Sequence, residues 1–284
     1  MKVELENKNV ISTKLKIVYG VIILFCIISI IVAIVLQFTK DDSSEETPNL
    51  PSLSEEQTMQ HETEFDNIFE NKVNYLENNS YKITKIEQDK EIIYTGYQDN
   101  NKKINDYELD VNIPYINIGN NALIDSYNQE IRDVFETKAK SVLNTQNSSI
   151  IYTVNYSAYI SNNILSLVIR STLKEGSNPQ RDIVQTYNYD LETQKECTID
   201  ELLELKGISK QEANRKIRDK IKEVQKSVDE LAQLGYTIYQ RNPDDDMYSI
   251  NNVSEFFLGA DNALYIIYAY GNQNHTSEMD IVIM

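Results

Sequence analysis

Residues 151–173, IYTVNYSAYISNNILSLVIRSTL, decide how the rest of the chain is read. Tyr152, Val154, Tyr156 and Ile160 share one parity, Leu165, Leu167 and Ile169 share another, and Ser161-Asn162-Asn163 lies between them. Alternation at period two places such residues on one face of a strand, and two runs flanking an Asn-rich turn read as a β-hairpin. Strand chemistry continues on both sides. Upstream, Lys82 to Ile86, Glu91 to Tyr97 and Tyr107 to Ile118 are rich in β-branched and aromatic residues, with Gln98 to Asn105 as a polar turn and Pro114 expected to interrupt the last ladder. Downstream, Ile183 to Leu191 supplies a further strand, and Phe256-Phe257-Leu258 and Ala263 to Tyr270 suggest a hairpin turning through Gly259 to Asn262, with Met279 to Met284 as an edge strand.

Helical signals are set between these strands. Leu123, Ile124, Tyr127, Ile131, Val134, Phe135 and Val142 recur at intervals of three, four and seven. Thr198 with Glu201, and Ser209 with Glu212, have the spacing of reciprocal capping boxes. The second opens a long amphipathic helix whose stripe runs Ile217, Ile221, Val224, Val228, Leu231, Leu234 and stops at Gly235. Its outer face carries Arg215, Lys216, Arg218, Lys220, Lys222 and Lys226, a basic strip that intrahelical pairing and solvation are sufficient to explain. The implied fold class is α+β, with antiparallel sheets carrying helices.

The N-terminal part is of another kind. Ile17 to Phe38 contains no charged residue, and at about 1.5 Å per residue a helix of that length reaches roughly 33 Å, enough to cross a bilayer core. A transmembrane helix is expected there, in preference to a cleaved signal peptide or a buried core helix, because the run is long and no small-residue cleavage pattern follows it. Lys2, Lys8, Lys14 and Lys16 precede the run, and Asp41, Asp42, Glu45 and Glu46 follow it. The positive-inside rule then makes residues 1–16 a cytoplasmic tail and places the remainder outside the membrane, a single-pass arrangement. Residues 39–80 read as an acidic linker followed by a stalk helix, opened by Ser54 with Gln57 and continued by Phe65, Ile68, Phe69, Val73 and Leu76. Beyond it, 81–150 is expected to form a small α+β domain and 151–284 a second one.

Charge and composition restrict function. The chain carries −17 and its first sixteen residues +2, which leaves −19 for the rest. Such acidity repels nucleic acid and draws cationic partners. Cys26 lies inside the apolar run, so Cys197 is the lone cysteine beyond it and reads as a small packed residue beside a helix start. His61 and His275 are far apart, and Asp244-Asp245-Asp246 lacks the spaced ligands and glycine of a calcium loop, so no metal, cofactor or catalytic residue is assigned. Ligand-binding residues are not named by the sequence. The loops Glu175 to Arg181 and Gln240 to Tyr248 qualify by expected exposure alone.

From about Glu91 onward the chain resembles the extracytoplasmic region of RsiV-type lysozyme-sensing anti-sigma factors, a region similar to the one that precedes the catalytic domain of PdaC-type peptidoglycan deacetylases. The resemblance rests on Tyr107 to Tyr115 (YELDVNIPY), Tyr127 to Ile131, Ile164 to Leu167, Tyr187 to Leu191, Thr198 to Leu203, Phe256 to Leu258 and Leu264 to Tyr270, in that order. It implies paired extracytoplasmic domains of α+β fold, with 151–284 as the RsiV-type C-terminal domain and a surface that grips lysozyme. The sixteen-residue tail is too short for a sigma-binding domain and no deacetylase metal motif follows, so neither output carries over. The expectation is a membrane-anchored, non-enzymatic binding module of the cell envelope that recognises a cationic lysozyme-type protein or peptidoglycan. A scaffolding role in a membrane complex is the alternative, and a peptidoglycan-active enzyme a more distant one.

Overall fold

The computed structural model describes residues 53–76, 81–271 and 276–284. Strands β2 (Ile93–Lys103) and β3 (Tyr107–Ile116), then β4 (Ile150–Ser161), β5 (Ile164–Glu175), β6 (Arg181–Asp190) and β7 (Lys195–Glu196), lie in that order in one sheet; a short β1 (Val73–Tyr75) also pairs with β4. A second sheet has the order β10-β9-β8, from β8 (Glu255–Leu258), β9 (Leu264–Ala269) and β10 (Met279–Ile283). The β4–β5 hairpin sits at the centre of the large sheet, paired from Ile150↔Glu175 to Ser161↔Ile164. Its turn residues Asn162 and Asn163 both have positive φ, 50° and 63°, as a two-residue turn matching the strand twist requires.

Helices cover the outer faces. Ala122–Ile131 (α2) and Thr137–Leu143 (α3) are joined through a π-helical segment, Arg132–Glu136, and pack Ile124, Ile131, Phe135 and Val142 onto Leu109, Val111, Val154 and Leu167 of the large sheet. Tyr265, Ile267, Phe257 and Ile283 of the small sheet meet Tyr159, Val168 and Val184 of the large one. On the far side of the small sheet, Leu264, Ile266 and Val282 pack with Leu202 and Leu203 of α4 (Ile199–Leu205) and Ile217 and Ile221 of α5 (Lys210–Gln233). Alternating residues on β9 thus serve two cores, which is why its sequence is apolar without a break.

The expected fold class holds as α+β and is corrected in two respects. The large sheet is not antiparallel throughout: β3 pairs with β4 in parallel, Tyr107↔Ile150 to Val111↔Val154, and β1 runs parallel to the later part of β4, Val73↔Ala158 to Tyr75↔Ile160. The expected transmembrane helix has no counterpart among the described residues, where no helix is long and apolar enough to cross a membrane. The expected span 17–38 and the tail 1–16 lie outside the described residues. The β3–β4 ladder also crosses the boundary expected between 150 and 151.

Local differences have local causes. Helix α1 (Glu55–Glu64) carries the expected capping box of Ser54 and Gln57, but it ends before the residues expected to prolong it. Phe65 turns into the core between the sheets, 2% exposed, and Val73 enters β1. Glu62 accepts from Lys220 of α5 at 2.8 Å, and Leu53 and Met59 of this segment, with Lys220 and Ile283, line a groove of about 540 Å³. Gln98 to Lys103 continues β2 where a turn is expected. Lys82 to Ile86 joins no ladder among the described residues. Pro114 stays paired with Thr95, beyond the last β3–β4 partner at Val111, so it lies where the strand has a neighbour on one side only. At the β2 bulge a Cβ on Gly96 would lie 2.2 Å from the Tyr115 ring.

Candidate functional site

The loop following α5 is anchored from within. Arg241 is 7% exposed and donates through Nε and Nη2 to the two carboxylate oxygens of Asp280, at 2.6 and 3.0 Å. Its Nη1 donates to Glu278 at 2.9 Å and to the Tyr239 carbonyl at 2.6 Å. Tyr270 donates to Asp280 at 2.7 Å, and Tyr248 and Tyr270 hydroxyls lie 2.8 Å apart. Burial opposes the charge on Arg241, yet the Asp280 and Glu278 contacts hold its pKa above the ordinary guanidinium value. Burial also pushes the Tyr248 phenol up to about 12. The forked guanidinium matches a carboxylate bidentately, so this cluster ties the loop to β10.

Beside it the two sheets meet edge to face. The outer edge of β8 finds side chains in place of a strand: Phe256 N–H donates to Thr186 Oγ1 at 3.1 Å, Asn188 Nδ2 to the Phe256 carbonyl at 2.7 Å, and Leu258 N–H to Ser166 Oγ at 3.1 Å. Glu255 Oε2 accepts from both N–H and Oγ1 of Thr186, at 2.8 and 3.1 Å. Next to this join lies a cavity of about 220 Å³, lined by Val184 of β6, Glu255 of β8, Tyr268 and Ala269 of β9, and Met247 and Asn252 of the preceding loop. Tyr268 is 7% exposed and its hydroxyl has no hydrogen-bond partner among the described residues. Burial raises the Glu255 carboxyl above the usual range, against the Thr186 donors and with a repulsive contribution from Glu130.

Of the segments singled out in the sequence, Gln240 to Tyr248 borders this region: Asn242 and Asp244 to Asp246 are exposed, Arg241 and Tyr248 are buried, and Met247 lines the cavity. Glu175 to Arg181 is an ionic turn: Glu175 accepts from Lys138 at 2.7 Å and Arg181 at 2.9 Å. Asp245 caps a 3-10 turn at Met247, and no group of three metal-ligating side chains occurs among the described residues. Three residues of the basic strip are paired within the protein: Arg215 with Asp219, Arg218 with Asp244, and Lys220 with Glu62. Cys197 is buried and its thiol is pushed up to about 12, chiefly by that burial. His61 contacts Tyr265 Oη through Nδ1 at 3.1 Å, while His275 lies outside the described residues.

No protein-family model matches the chain, and no curated protein matches it. Its structural neighbours are DUF3298-family proteins. One from Pseudomonas aeruginosa has 12% identity and a TM-score of 0.35, covering 64% of this chain and 82% of its own. Another, from Bacteroides fragilis, has 12% identity and a TM-score of 0.34, covering 62% and 80%. Likeness at this level carries no argument about membership or activity, and the link to RsiV-type and PdaC-type proteins is not among these matches.

Proposed function

We propose that the protein is a binding module of the bacterial cell envelope, held outside the cell membrane, whose partner is a cationic protein of lysozyme type or peptidoglycan. The observation that carries this reading is where the cations go. Arg241 and Arg170 are drawn inward onto Asp280 and Asp182, and Arg215, Arg218 and Lys220 are paired along α5. Much of the positive charge is therefore matched internally, in a chain whose residues after the first sixteen carry −19 out of a total of −17. A surplus of that sign accelerates encounter with a basic partner and is weakened by salt.

Calorimetry of the full-length chain against a lysozyme-type protein tests it. Binding should weaken roughly tenfold when salt is raised from about 50 to about 300 mM. Absence of heat, together with no retention on purified peptidoglycan, would overturn the reading. The outward location, expected from the sequence of the N-terminal region, is checked by protease added to intact protoplasts; protection of residues 80–284 would refute it. In this reading the protein binds without turnover, and release of fragments from peptidoglycan, lost on replacing one carboxylate, would refute that part.

Scaffolding is the second reading. It is favoured by the end of α5, where Leu231, Leu234 and Tyr236 are exposed in succession. Membrane-protein pull-down that survives high salt and is lost in Leu234→Glu would support it over the first.

A further inference from the structure

The cavity between the sheets is bounded by two stretches of strand edge without a partner strand among the described residues. In an antiparallel ladder the N–H and C=O of one residue point to the same side, and successive residues alternate. Leu264 exchanges both bonds with Met284, and the Tyr270 N–H goes to Glu278, so Ala269 turns its backbone groups away from β10. On that side β8 reaches only as far as Glu255, opposite Ile267. Across the gap, the Thr186 N–H points to Glu255 and the Asn188 carbonyl accepts from Cys197, both away from β5, so Val184 presents its N–H and C=O the same way. The opening is closed below by the Thr186–Glu255 contact. It is closed above where Gly271 presses on the backbone of Asp182, a Cβ there lying 2.2 Å from the Asp182 oxygen. What lies between is too short for a strand. It is the size of a side chain.

Its one charged side chain is an acid. The backbone groups of Val184 and Ala269 and the Glu255 carboxylate border it, and Met247 and Ile267 supply apolar wall. Glu255 is partly buried, and no lysine or arginine forms an ion pair with it among the described residues, unlike Asp182 and Asp280, the buried acids that arginines hold. An ammonium on a flexible four-carbon stem has three donors for such acceptors and methylenes for such walls, whereas a planar guanidinium suits the forked geometry already taken by Asp280.

We propose that this slot receives the side chain of a lysine presented by a basic protein partner, with Glu255 as its counter-charge. The lysine chemistry follows from the slot itself, and only the partner's being a basic protein rests on the envelope-binding reading. Three probes separate the two. Nα-acetyl-lysine amide, titrated into the full-length chain and followed by calorimetry, should bind, while the norleucine analogue, of the same length without the charge, should not. Glu255→Gln, which keeps the shape, should weaken lysine binding about tenfold or more, as loss of a shielded charge partner does. Asn252→Lys, at an exposed position on the rim, should fill the slot from within and abolish binding without disturbing the thermal melt; this keeps the test valid if the Glu255 variant folds poorly. Equal binding of lysine and norleucine amides, or full binding by Asn252→Lys, would overturn the proposal. Capture of a lysozyme-type protein undiminished by Asn252→Lys would overturn the slot and leave the envelope reading intact. Binding of lysine amide, with no binding of a lysozyme-type protein and no retention on peptidoglycan, would uphold the slot's chemistry and overturn the envelope reading. Retention instead of a diamino-acid peptide from peptidoglycan, lost in Glu255→Gln, would overturn the assignment to a protein partner.

Discussion

Lys206 is a lysine drawn into the interior. It is 5% exposed, donates to the Asn262 carbonyl at 2.6 Å, and burial, with the Lys216 charge, lowers its pKa to about 8. An unfolded lysine titrates near 10.4. Between those values the unfolded chain keeps a proton that the folded chain has released, so stability rises with pH across this window, and below pH 8 the full cost of the buried ammonium is present. Lys206→Met should therefore flatten the dependence between about pH 8 and 9.5, and at pH 7 gain on the order of 1 kcal/mol after the lost hydrogen bond is counted. Urea melts read this, and an unchanged pH slope would refute it. Glu255 has the opposite charge and the same sense of strain: its raised carboxyl favours the folded state when protonated, and that contribution is lost as pH rises through the folded value. Glu255→Gln should thus gain stability relative to the native protein on going from pH 4 to 7 in thermal melts, and the reverse trend would contradict the burial. Arg241 behaves differently because its partner is already buried. Arg241→Met strands Asp280, 5% exposed, and should cost about 3–5 kcal/mol in denaturant unfolding, part of which Asp280→Asn in the same chain should restore. Neither Lys206 nor Arg241 is distinguished in the sequence from the other cations around it, because the partners that define them are 56 and 39 residues away.

Among the elements, those with a local cause were legible. The β4–β5 hairpin follows from alternation and two adjacent asparagines, both at positive φ. Replacing Asn162 by Val should cost on the order of 1–2 kcal/mol, since a branched side chain resists that conformation; unchanged urea unfolding would show that the turn is not what holds the register. The α4 cap is reciprocal as its spacing predicts, whereas Ser209 accepts from the Glu212 N–H alone, so only half of the second box forms. Elements with a distant cause were not legible. Phe65 and Val73 fall at helical spacing, but one is held by Phe257 and Tyr265 and the other by β4, contacts that no window of residues contains. Gln98 to Lys103 is polar because this half of β2 is an exposed edge, and polarity alone reads as a turn. The parallel β3–β4 ladder joins strands separated by a whole helix and has no local signature. The α5 stripe was right in period and too long in reach, since Leu231 and Leu234 run past the end of the core. The slot between the sheets brings together Val184, Glu255 and Ala269 by tertiary packing, and their spacing says nothing of it.

At the level of the whole molecule, stability depends on a layer contributed by residues before the large sheet. Phe65 contacts Phe69, Phe257 and Tyr265 and is sealed between the sheets. Phe65→Ala should cost about 3–5 kcal/mol and lower the denaturation midpoint of the entire unit, and a separate early transition would instead show that this layer melts alone. The groove that Leu53 shares with Ile283 has a geometric corollary. Leu53 and Ile283, near the two ends of the described segment, therefore lie close together beside α5. A permuted chain that joins 284 to 53 through a short glycine-serine bridge and opens anew at the exposed Gly235–Tyr236 bond should refold cooperatively with an unchanged circular dichroism spectrum.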